Sequence, residues 1–114
     1  MTAATSPAPR GADLLVMALQ RAGVRTLFTL SGNHIMPVYD ALFDSGIDIV
    51  HTRHEAAAVH MADAWARLTG EVGVALVTGG QGHANGVAAL CTALGGEVPV
   101  LLLSGHAPLK DLGL

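Results

Sequence analysis

A single cysteine, one tryptophan, one tyrosine and two phenylalanines in 114 residues give this chain little to cross-link and little aromatic bulk. With Cys91 alone, no disulfide and no cysteine-based zinc site can form within one chain, and a reducing, cytoplasmic setting fits. Cys91 sits in an apolar helical stretch and is expected to be a small buried hydrophobe. Charge is also sparse: 13% of residues are Asp, Glu, Lys or Arg, and the net charge is −3. No basic run could follow a phosphate backbone, which sets nucleic acid aside as a partner. The longest apolar runs, such as Val98 to Leu103, are too short to span a bilayer, and the opening Met1 to Arg10 has no apolar centre, so neither a membrane segment nor a targeting signal is read.

Small residues are abundant instead. The chain is 51% hydrophobic with 14 glycines, so its core must be built from Ala, Val and Leu at close backbone approach. Residues 1–11 are expected to be a disordered tail. Residues 12–114 read as one domain of alternating helices and strands. Helices are expected over Asp13 to Ala22, Met36 to Phe43 with Pro37 in its first turn, from Glu55 to a stop at Gly70, and over Ala84 to Leu94. Strands are expected at Thr26 to Leu30, Ile47 to His51, Gly73 to Thr78 and Val98 to Ser104. Wholly apolar strands between helices point to an α/β fold, a parallel β-sheet with helices on both faces. No helix follows the fourth strand, so the domain reads as incomplete at its C-terminus, with one sheet face left uncovered there.

Parallel sheets bind ligands at the carboxyl ends of their strands. Three loops there are rich in glycine and small polar groups: Ser31 to His34, Thr78 to Asn85 and Ser104 to Pro108. A dinucleotide site is disfavoured, because the run Gly80-Gln81-Gly82-His83-Ala84-Asn85-Gly86 places its third glycine one residue late and the next strand ends in Ser104-Gly105 rather than an acid. No Gly-Lys-Ser/Thr occurs, which removes the triphosphate loop. The cluster His51, His54, Glu55 and His60 invites a metal, yet His54 and His60 are six apart and project in different directions, so no metal ligand is assigned. Cys91 and Ser104 lack the context of a nucleophile.

Glu55 opens a helix that is apolar nearly all round, and such a helix is expected to be covered on every face by the sheet and a partner chain. Burial there would raise the carboxyl pKa and let the group hold and return a proton near neutral pH. The alternative is a solvated first-turn acid favoured by the helix dipole.

Together, four ordered segments resemble one family. They are Arg53-His54-Glu55-Ala56-Ala57-Ala58 running on to Met61-Ala62-Asp63-Ala64-Trp65-Ala66-Arg67, Pro37 to Leu42, Gly80 to Asn85, and Val98 to Gly105. The chain resembles, from about Asp13 onward, the N-terminal pyrimidine-binding domain of thiamine-diphosphate-dependent enzymes, in the superfamily of acetolactate synthase, pyruvate oxidase and the 2-oxoacid decarboxylases. The resemblance implies thiamine diphosphate as cofactor. It implies that Glu55 hydrogen-bonds N1′ of the aminopyrimidine and promotes the imino tautomer, so that a C2 ylide forms, adds to a 2-oxo acid and supports decarboxylation or carboligation. It places Gln81, Asn85 and Gly32 with the cofactor, and His34, His83 and His106 as candidates for substrate contact or proton transfer. It also implies that Mg²⁺ and the diphosphate are held by a domain absent from this chain, and that apolar helices mediate self-association as a homodimer or homotetramer. The chain departs from the family at Ser31-Gly32-Asn33-His34, where many synthases have a Pro-Gly-Gly turn, and at Gln81, where Pro is common. Three roles follow: the N-terminal part of a lyase or transferase, a separate subunit of a split enzyme, or a non-catalytic dimerisation module of the same fold.

Overall fold

The computed structural model of the chain describes residues 7–113. Four strands and four helices alternate: α1 (Gly11–Arg21), β1 (Thr26–Thr29), α2 (Met36–Leu42), β2 (Asp48–His51), α3 (Glu55–Thr69), β3 (Gly73–Val77), α4 (Gln81–Gly95) and β4 (Val100–Ser104). Short 3₁₀ turns at Asn33–Ile35 and Leu109–Asp111 complete the order. The sheet is wholly parallel, in the order β2-β1-β3-β4. The α/β fold read from the apolar strands is therefore the fold observed.

Strand alternation divides the core into two layers. On one face Leu27, Val74 and Leu76 pack with Val16 and Leu19 of α1, Leu42 of α2 and Ile35 and Ile47 of the connections. On the other, Phe28 and Ala75 pack with Ala58, Val59 and Ala62 of α3 and Ala89 of α4. Helix α3 stops at Gly70, whose φ of 74° is the left-handed cap that a glycine adopts without strain. Of the expected tail, residues 1–6 lie outside the described residues. Gly11 is already helical, and Arg10 is fixed to the domain by ion pairs with Asp13 and Asp40 at 3.0 and 2.8 Å.

Within this chain helix α3 is covered on its sheet side, where Ala58, Val59, Ala62 and Ala66 are buried, while Met61 and Leu68 on its outer side are 44% and 86% exposed. Two expectations need correction. Cys91 is exposed, because it lies on the face of α4 away from Ala89 and Ala93, which take the sheet side. Helix α4 starts at Gln81 rather than Ala84, so Gly82 lies inside its first turn despite glycine's poor helix propensity. At β4 the α1 and α2 layer thins out, leaving Leu101 42% exposed.

A candidate active site at the carboxyl ends of the strands

The direction in which the sheet is built reverses between β1 and β3. The chain leaves β1 into α2 on one face and leaves β3 into α4 on the other, so the carboxyl ends of these two strands form a topological switch point, the place where parallel sheets bind ligands. The first and second glycine-rich loops meet there. A Cβ on Gly32 would clash with the Thr78 side chain, so only a glycine allows this approach. His34 reaches across to the backbone of Gly79 and Gly105, its Nδ1 lying 2.7 Å from where a Cβ on Gly79 would stand.

Glu55 is delivered to the same switch point by the start of α3. His54 is the N-cap: its Nδ1 accepts from the amide of Ala56 at 3.0 Å, which is why this histidine is occupied with the backbone. Thr52 anchors the preceding turn by donating its hydroxyl to the carbonyls of Thr29 and His54. Helix α4 then brings Asn85 to donate from Nδ2 to Glu55 Oε2 at 3.0 Å. Gly82 lies alongside, where a Cβ would stand 3.3 Å from Glu55 Oε1 and 2.9 Å from Thr78 Cγ2. A bare backbone at residue 82 thus brings the first turn of α4 against the carboxylate, and this explains a glycine in a helix.

The expected upward shift of Glu55 is not observed. The Asn85 hydrogen bond to the ionised form, helped by a backbone hydrogen bond and the nearby His54, holds its carboxyl below the usual value and outweighs the partial desolvation that would raise it. The carboxylate is therefore charged at neutral pH in this state. Oε2 is engaged, and no other side chain among the described residues donates to the group.

The remaining sequence candidates are unequally placed. His83, on the first turn of α4, makes a 2.6 Å hydrogen bond through Nδ1 with Ser104 Oγ at the end of β4. Gln81 is exposed beside Gly82, with no side-chain hydrogen bond among the described residues. His106 is exposed, and its one side-chain hydrogen bond among the described residues is with the Ala107 carbonyl at 3.4 Å. Ser104, Gly105 and Thr78 are members that the sequence placed in the glycine-rich loops without a role in the site. Their position at strand ends was the available signal, but their partners lie on other loops. Elsewhere, His51 at the end of β2 is 3.5 Å from Ser31 Oγ, and His60 is exposed on α3, so neither joins Glu55.

The arrangement suits one side of a planar heterocycle. It offers an ionised carboxylate with one oxygen free of side-chain donors, an amide that fixes it, and glycine backbone packed close against it. Comparison with known proteins agrees with this chemistry. Residues 9–114 match the family model described as thiamine pyrophosphate enzyme, N-terminal TPP binding domain. The chain is 45% identical over 104 residues to the acetolactate synthase isozyme 3 large subunit of Escherichia coli, an alignment covering 90% of this chain and 18% of that protein. It is 42% identical over 104 residues to a probable acetolactate synthase large subunit of Methanocaldococcus jannaschii, covering 91% of this chain and 18% of the relative. It is 50% identical over 103 residues to 2-hydroxyacyl-CoA lyase 2 of Bos taurus, covering 90% of this chain and 16% of the relative. The chain therefore spans less than a fifth of the length of these relatives.

Proposed function

Because the chain belongs to the thiamine pyrophosphate enzymes, as an N-terminal TPP binding domain, we propose that it supplies the aminopyrimidine side of an active site for 2-oxo acids. The observation that carries this reading is the Glu55 carboxylate, fixed by Asn85 at 3.0 Å and set against the bare backbone of Gly82. When bound, thiamine diphosphate supplies a carbon nucleophile and an electron sink for decarboxylation or carboligation.

The protein's part is to hold and move a proton. Glu55 Oε1 is the atom available to N1′ of the aminopyrimidine, with Asn85 keeping the carboxylate oriented toward it. Covering the carboxylate with a ring removes water, which raises its pKa from the lowered value of the open site toward that of a proton-sharing group. Gln81 and Gly32 belong to the same cofactor wall, and His34 and His83 to its substrate side. The diphosphate and its Mg²⁺ are assigned to a domain outside this chain, in a larger enzyme of the cytoplasm, where an exposed Cys91 remains a thiol. The exposed Met61 and Leu68 on α3 are the surface through which two copies associate.

Condensation of two 2-oxo acids, as in the acetolactate synthases, is the first form of this activity. The 50% identity to a 2-hydroxyacyl-CoA lyase favours a second, the cleavage of a 2-hydroxyacyl thioester. Calorimetric titration of the full-length protein with thiamine diphosphate tests the shared premise: binding that weakens in Glu55→Ala is expected, and no binding to the wild type overturns it. Supplying pyruvate and a 2-hydroxyacyl-CoA in parallel separates the two forms.

A further inference from the structure

The last two residues of the fourth strand and its loop organise two histidines. Gly105 accepts the backbone of the 3₁₀ turn at residue 34, where a Cβ would come within 2.7 Å of His34 Cβ and 2.8 Å of Ile35 Cγ2. Ser104, its neighbour, engages His83 at 2.6 Å. His83 follows directly on Gly82, which lies against Glu55. One strand end therefore meets both His34 and His83, which belong to two different loops.

Resting on the reading of the site as a thiamine-diphosphate active site, we propose that Ser104 is a positioning residue: its hydroxyl donates to His83 Nδ1, leaving Nε2–H directed to an oxygen of the substrate. Either atom of the 2.6 Å contact can donate, because a hydroxyl both gives and accepts and the role of Nδ1 follows the tautomer. With Ser104 as the donor, the neutral ring accepts at Nδ1, carries its proton on Nε2 and presents a donor there. A donor is what the carbonyl and carboxylate oxygens of a 2-oxo acid, or the carbonyl of an acyl thioester, require. It also complements Glu55, which is acceptor-only while ionised. His83 is thereby a substrate-binding group, and Ser104 acts on substrate only through it.

The test reads the imidazole itself. In the full-length protein with ring-labelled histidine, the ¹³Cδ2 signal of His83, assigned by its loss in His83→Gln, distinguishes the two neutral tautomers. The wild type is expected to show the Nε2–H form. Ser104→Ala should shift the signal to the position of a tautomer mixture, and Ser104→Thr, which keeps the hydroxyl, should restore it. An Nδ1–H signal in the wild type, a wild-type signal already averaged, or a signal unmoved in Ser104→Ala would each overturn the proposal. None of these readings depends on turnover. Failure of the cofactor reading would appear separately, as absent thiamine diphosphate binding with the His83 tautomer still fixed.

Discussion

The two layers that cover the sheet are built to different rules. Over α1 and α2, large branched side chains fill the space: Val16, Leu19, Leu27, Ile35, Leu42, Ile47, Val74 and Leu76. Over α3 and α4, the filler is largely Ala58, Ala62, Ala75 and Ala89 with Val59 and one aromatic, Phe28. Small side chains bring backbones close, and glycines bring them closer. A Cβ on Gly73 would clash with the Ala62 carbonyl, and one on Gly86 would meet Leu102 and Val59. The branched layer can adjust its rotamers, whereas contacts made to backbone cannot give way. The site is carried by the second layer. Glu55 and Asn85 meet at 3.0 Å because α3 and α4 are locked to the sheet by backbone proximity.

The sharpest way to break this contrast is to add volume to the small-residue layer. Gly73→Val is expected to cost about 3 kcal/mol or more, because the clash is with backbone. Denaturant unfolding checks it, and an unchanged midpoint would show that α3 can move away from β3 freely. Next comes removal of volume from the other layer. Leu76→Ala should cost about 3 kcal/mol through the cavity it leaves, yet leave the ionisation of Glu55 where it was. A shifted Glu55 titration in that variant would mean that the layers are not independent.

A smaller effect is expected on removing the Glu55 partner. Asn85→Leu deletes the largest cause of the lowered Glu55 pKa, so the carboxyl should titrate closer to its ordinary 4.5, read from its side-chain ¹³C signal. The sign is fixed by linkage: a depressed carboxyl pKa contributes stability that is present above the unfolded value and lost as pH falls through the folded one. The wild type should thus lose stability in acid, below pH 4.5, more than Asn85→Leu does. Equal acid sensitivity would remove the hydrogen bond from the account. The smallest change in stability is expected on the outer face of α3. Leu68→Gln, at an 86% exposed position, should alter unfolding by no more than about 0.5 kcal/mol while weakening self-association in sedimentation. Unchanged association would move the interface elsewhere.

Much of this was legible in the residues. Apolar runs of strand length separated by helical periodicity gave all eight regular elements, and Gly70, placed after Thr69, gave the end of α3. Glu55 stood out because an acid opens an otherwise apolar helix. What remained hidden was pairing in space. Asn85 lies thirty positions from Glu55 and Ser104 twenty-one from His83, and local spacing carries no information over those distances. The direction of the Glu55 shift was misjudged for the same reason: burial could be guessed from composition, but the amide that outweighs it could not. Cys91 was misplaced because α4 is apolar on both sides and only its packing decides which side is inside. The packing of His34 against Gly105 is a pairing of the same long-range kind.

Glu55 is proposed to activate the aminopyrimidine from the carboxyl ends of the strands. This role is tested most directly by the rate of hydrogen–deuterium exchange at C2 of thiamine diphosphate bound to the full-length protein. Glu55→Gln keeps the shape and removes the proton-sharing carboxylate, so exchange is expected to slow about a hundredfold or more. Exchange at the wild-type rate in Glu55→Gln, with the cofactor still bound, would contradict the role assigned to Glu55.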